Sequence, residues 1–126
     1  MSAPVPNRSQ PTDTLATYAA SWGPLALEAR LAAFEQCLAG GFVYTDPNIR
    51  TVGYEELAAY MEGFQQQVPG GGFINRDVAS HHDVVLVHWD MIGPDGTVLG
   101  PGASFGTVSP DGRLASMTGF YDSEPR

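Results

Sequence analysis

An aspartate set directly before a proline, in Tyr44-Thr45-Asp46-Pro47, is the residue of this sequence best suited to acid–base chemistry. A carboxylate on the wall of an apolar pocket has its charged form disfavoured by burial and can take a proton from carbon or water. Aspartate before proline is equally a turn former, its side chain bonded to nearby backbone N–H groups. Both readings stand at the level of sequence. A second candidate group is His81-His82-Asp83. On a continuous strand alternate residues share a face, so His81 and Asp83 would lie together, with His82 and His88 opposite. An imidazole oriented by a carboxylate can act as acid or base near neutral pH. The alternative is a hydrogen-bonded histidine at a sheet edge or subunit contact. No metal site is expected, because adjacent histidines on a regular strand cannot converge on one ion.

Amphipathic aromatics are the third chemical resource. Tyr18, Trp22, Tyr44, Tyr60 and Tyr121 each combine an apolar body with a polar tip that can orient a carbonyl or hydroxyl group. With Phe64, Val87, Trp89, Ser104 and Met117 they make up the expected ligand-binding set; each of these also fits ordinary core packing. Gly100, Gly102 and Gly106 have the wrong spacing for a dinucleotide fingerprint, and no helix follows them. They fit sharp sheet curvature or room for a ligand. Pro69-Gly70-Gly71-Gly72 lacks the lysine and hydroxyl of a phosphate loop and reads as a flexible connection or lid.

Charge narrows the partners. The 126 residues carry a formal charge of −8, with fourteen acidic residues against six arginines and no lysine. Such a surface repels phosphate backbones and anionic lipid, so neither nucleic acid nor membrane is an expected partner. Hydrophobic residues at 43% supply one core, and the length suits one domain. Cys37 is the only cysteine and lies in an apolar helical stretch, where a buried thiol is inert. The first residues lack an apolar signal-peptide core, and no run approaches a membrane span, so a cytoplasmic location is expected.

The elements that must hold these residues follow from periodicity. Residues 1–11, with three prolines, read as a loose tail, and 12–126 as one domain. Thr12 or Asp13 caps a first helix with Leu15, Tyr18, Ala19 and Trp22 on one face. Pro24 suits the start of a second helix carrying Leu27, Leu31, Phe34 and Leu38, which Gly40-Gly41 ends. Phe42 to Asp46 reads as a short strand, with pairing ending at Pro47 or lying on an edge. Gly53 precedes a third helix with the stripe Tyr54, Leu57, Met61, Phe64, Val68. Strands are then expected at Phe73–Asp77, Ser80–Ile92, Val98–Val108 and Arg113–Tyr121, with turns at Gly93-Pro94-Asp95-Gly96 and Ser109-Pro110-Asp111-Gly112. The order predicts an α+β fold, with a run of late strands joined as an antiparallel meander.

Three segments of this order carry a family resemblance. Tyr44-Thr45-Asp46-Pro47 followed by Gly53-Tyr54-Glu55-Glu56-Leu57, His81-His82-Asp83 followed by Trp89, and Asp111-Gly112-Arg113-Leu114 followed by Met117, Gly119 and Phe120 resemble the nuclear-transport-factor-2-like (SnoaL-like) superfamily over residues 12 to 122. The resemblance implies three N-terminal helices in a strongly curved, mostly antiparallel sheet, forming a cone with an internal pocket. It implies that the face of Asp83, Val85, Val87 and Trp89 turns to that pocket. By likeness to ketosteroid isomerase, Asp46 takes the general-base position, Trp22 with Tyr18 falls near the tyrosine donor, and Ser104 falls near the protonated acid. The Asp-Arg-Asp constellation of the epoxide-hydrolase branch has no counterpart.

The functional expectation is a small, mostly apolar molecule, such as one bearing a carbonyl, bound in the pocket. Isomerisation, cyclisation or dehydration would use Asp46 as base, with His81 and Asp83 in support. Such chemistry needs a placed base and donors, and no cofactor. The alternatives are a ligand-binding domain without catalysis, or an interaction module. The resemblance further implies a homodimer through the outer sheet face.

Overall fold

In a computed structural model describing residues 10–121, three helices pack on a six-stranded, curved and unclosed mixed sheet. The elements in chain order are α1 (Gln10–Ser21), α2 (Leu27–Cys37), β1 (Leu38–Asp46), β2 (Ile49–Val52), α3 (Tyr54–Gln67), β3 (Gly72–His81), β4 (Val84–Ile92), β5 (Val98–Val108) and β6 (Leu114–Phe120). Most of the expected tail, residues 1–9, lies outside the described residues, as do residues 122–126. Gln10 and Pro11 belong to α1, so the helix starts earlier than a cap at Thr12 or Asp13 predicts. Asp13 sits in the first turn instead, where its charge suits the helix dipole.

The strand order is β2-β1-β6-β5-β4-β3. β3 to β6 form the antiparallel meander. β1 joins it by parallel pairing with β6, with Tyr44 opposite Met117, and β2 folds back antiparallel on β1. β2 was not foreseen: it has four residues and follows a proline turn. The expected strand Ser80–Ile92 is two strands. The chain reverses at His82, whose φ is +50°, so β3 ends at His81 and β4 begins at Val84. β3 therefore runs continuously through the gap expected after Asp77.

Burial follows alternation on the sheet. Val85, Val87 and Trp89 point inward from β4 while Leu86 is exposed between them. Two glycines make that packing possible. A side chain at Gly102 would run into the Trp89 ring, and one at Gly106 would run into Met117. Their role is close approach of a large neighbour across the sheet.

The helices differ more from expectation. α2 starts at Leu27 rather than Pro24, and Leu27 is exposed. Its buried face is Arg30, Phe34 and Cys37. Gly40-Gly41 do not end it; the helix passes directly into β1, and the glycines fall where the β1–β6 register shifts. Arg30 is fully buried. Its Nε donates to the carbonyl of Ser21 at 2.9 Å and its Nη2 to that of Gly23 at 2.7 Å. It thereby satisfies acceptors at the end of α1 that have no helical partner. Its Nη1 reaches Glu62 of α3 at 2.9 Å, so one side chain ties the three helices together. On α3, Leu57, Ala58 and Met61 are buried, with Gly53 at its N-cap in a positive-φ conformation. The segment after α3 is fastened rather than loose. Gln65 donates to the Gly71 carbonyl at 2.9 Å and accepts from the Gly70 N–H at 3.0 Å, which corrects the reading as a flexible lid.

Candidate functional site

The hairpin that joins β1 to β2 positions Asp46. Its Oδ1 accepts the backbone N–H groups of Asn48 at 2.8 Å and Ile49 at 3.2 Å. That closes the turn at Pro47 and is the turn-forming role foreseen for this residue. The other oxygen faces a different neighbourhood. Oδ2 accepts the hydroxyl of Tyr44 at 2.7 Å and that of Tyr60 at 2.8 Å. Tyr44 shares the inward face of β1, two residues before Asp46, while Tyr60 comes from α3. Asn48 donates to the Tyr121 hydroxyl at 3.2 Å, which extends the polar cluster to the end of β6. Among the described residues, no arginine or histidine pairs with Asp46.

Burial holds the Tyr44 and Tyr60 phenols above their ordinary range, and the adjoining Asp46 carboxylate adds to the rise in both. Burial raises Tyr18 and Tyr121 as well. These phenols stay protonated near neutral pH, so Tyr44 and Tyr60 act on Asp46 as hydrogen-bond donors.

The cluster lies on the wall of a cavity of about 560 Å³ between α1, α3 and the inner sheet face. Tyr18, Trp22, Tyr44, Asp46, Tyr60, Phe64, Val87, Trp89, Ser104, Met117 and Tyr121 all line it. Sequence reading missed Leu15, Phe73, Asn75, Met91 and Asn48 among others. For Phe73, Asn75 and Met91 a usable signal existed: they alternate with outward residues on the two strands carrying the inner face. Ser104 Oγ accepts the indole N–H of Trp89 at 2.9 Å. Its own proton has no acceptor among the described residues and is available to a ligand.

His81 and Asp83 are not part of this site. Both are exposed at the β3–β4 turn and neither lines the cavity. The reversal at His82 takes Asp83 off the strand, so the shared face that was to bring His81 and Asp83 together does not exist. The two histidines also do not diverge as a strand would require. Their Nδ1 atoms are 3.1 Å apart, close enough for one ring to donate to the other. Among the described residues no three His, Cys, Asp or Glu side chains are grouped to hold a metal ion.

An α+β architecture with a cavity walled by helix and sheet, carrying one carboxylate among tyrosines, defines a small-molecule pocket class. The SnoaL-like domain family matches residues 16–117, and the chain belongs to that family, within the nuclear-transport-factor-2-like superfamily. A SnoaL-like family protein from Agrobacterium tumefaciens, provisionally called an isomerase, is 28% identical and superposes with a TM-score of 0.82 over 91% of this chain and 99% of that one. A provisionally named SnoaL-like polyketide cyclase from Jannaschia sp. CCS1 is 19% identical, with a TM-score of 0.76 over 97% and 92% of the two chains. A protein from Catenulispora acidiphila with a ketosteroid isomerase-like fold, in complex with trimethylamine, is 15% identical and has a TM-score of 0.72 over 88% and 86%. No curated protein matches the chain. Among the described residues no helix is long and apolar enough to cross a membrane.

Proposed function

We propose that the cavity binds a small, mostly apolar molecule and that Asp46 is the base in an isomerisation, cyclisation or dehydration of it. The observation that carries this reading is a lone carboxylate, without a cationic partner among the described residues, on the wall of an aromatic cavity. The chemistry needs Asp46 Oδ2 to accept a proton from carbon or water. As the carboxylate is neutralised, the Tyr44 and Tyr60 hydroxyls lose the charge that held them and become donors for an oxyanion developing on the substrate. Ser104 adds a further donor from β5.

One observation favours binding without turnover. Four donors already point at the Asp46 carboxylate, two on each oxygen. They fill the lone pairs that an incoming proton would need. The two readings separate in one experiment. A panel of polycyclic ketones and polyketide-like phenols is screened by thermal shift, and the stabilising compounds are incubated with the protein and followed for product. If Asp46 is the base, Asp46→Asn lowers turnover by roughly a hundredfold or more while the fold is kept. Full turnover by Asp46→Asn refutes the base. Stabilisation with no product from any compound favours the binding domain.

A further inference from the structure

The cavity wall is unusual in how its rings are connected. Trp22 packs on Phe73 with centroids 5.3 Å apart. Phe73 meets Trp89 at 5.1 Å, and Trp89 meets Tyr121 at 6.1 Å. Tyr60 meets Trp22 on its other side at 6.0 Å. The five rings form a continuous belt from Tyr60 to Tyr121, and each of them lines the cavity. Aromatic faces carry negative potential and attract cations.

Asp46 and the two tyrosines bonded to it add to that negative potential. Among the described residues, Asp46 is the only formally charged side chain lining the cavity. Tyr44 and Tyr60 direct their protons at Asp46, so a ligand meets their oxygen lone pairs. An anionic ligand would face this carboxylate with no cation to offset it, at a cost that a low-dielectric cavity enlarges. The formal charge of −8 on the whole chain adds to the bias.

We infer that the ligand of this cavity carries a positive charge: an organic ammonium on an apolar body, held by the aromatic belt and the Asp46 carboxylate. The inference rests on the cavity being the ligand site and specifies what that ligand is. Four donors already sit on the Asp46 carboxylate, so an N–H contact, like the proton transfer proposed above, requires a tyrosine hydroxyl to turn away, whereas attraction by charge alone requires no such change. That arrangement suits a tertiary or quaternary ammonium, which offers one N–H or none.

Choline and 3,3-dimethylbutan-1-ol share a shape and differ in the charge. Both can be titrated into the full chain while the two tryptophan indole N–H resonances are followed by NMR. Trp22 and Trp89 are the only tryptophans, and both line the cavity. The expected result is binding of choline at least about tenfold tighter than the alcohol. Asp46→Asn is expected to cut that preference by at least about threefold and leave the part due to the rings. Equal affinities in the wild type, with both probes shifting the indoles, would overturn the cationic ligand and leave the cavity reading intact. Shifts with neither probe would overturn both. A preference undiminished by Asp46→Asn would overturn the part assigned to that carboxylate. The wild-type comparison holds whatever the variant does to folding.

Discussion

Asp46 illustrates how one side chain can serve structure and site at once. Its Oδ1 builds the β1–β2 turn, and its Oδ2 organises two tyrosines on the cavity wall. The two readings that sequence left open are divided between the two oxygens of one carboxylate. Cys37 is a simpler case at the same scale. Burial pushes its thiol up to about 12, and the residue is almost wholly enclosed by the core. The thiolate is the reactive form, so the native protein should fail to react with a thiol-specific disulfide reagent at pH 8. One thiol per chain should react once denaturant is added. Rapid reaction of the folded protein would mean that Cys37 is accessible.

At the scale of elements, the helices add a polar device to their buried apolar faces. Arg30 is buried among carbonyls at the end of α1, while its partner Glu62 is largely exposed. Arg30→Ala leaves the buried Ser21 carbonyl without its donor and empties the space of a fully buried side chain, and should lower unfolding stability by about 3 kcal/mol in denaturant titration. Glu62→Gln removes only the exposed half of an ion pair and should cost about 1 kcal/mol or less. Equal losses would contradict this division. The β5–β6 turn supplies a pH-dependent counterpart. The Ser109 hydroxyl, then the backbone N–H and guanidinium of Arg113, lower Asp111 to about 2. A carboxyl group whose folded-state pKa is depressed stabilises the fold above its unfolded value and loses that effect as pH falls through the folded one. Asp111→Asn should therefore lower the Tm at pH 7, and the gap to wild type should shrink between about pH 4 and pH 2. A gap that is constant down to pH 2 would show that the charge is not its source.

At the scale of the molecule, the outer sheet face is the feature still lacking a cover. Leu86 and Phe105 lie opposite each other on β4 and β5, with Phe120 diagonal to them on β6, and all three are exposed. Exposed apolar groups in one patch mark a contact surface. A homodimer through this face predicts a dimer mass in sedimentation, converted to monomer by Phe105→Glu. A wild-type monomer at every concentration would exclude it. The same scale explains where sequence reading succeeded. Val98–Val108 and the two turns flanking it were legible because strand alternation and Pro-Asp-Gly turns are local signals. The cavity aromatics other than Phe73 were legible because helical and strand spacing place them on inward faces. The partnership of His81 with Asp83 failed because whether the chain reverses at His82 depends on which strands pair across the sheet.

The three helices, the late meander and most of the inward-facing aromatics were thus decided by the sequence alone, since each depends on residues within one or two turns of chain, and the acidic charge follows from composition. The short strand β2, the assembly of the aromatic belt, the convergence of Tyr44 and Tyr60 on Asp46, and the burial of Arg30 were decided only by tertiary structure. Each joins residues from separate elements, and the parallel pairing of β1 with β6 that brings some of them together leaves no local periodic trace.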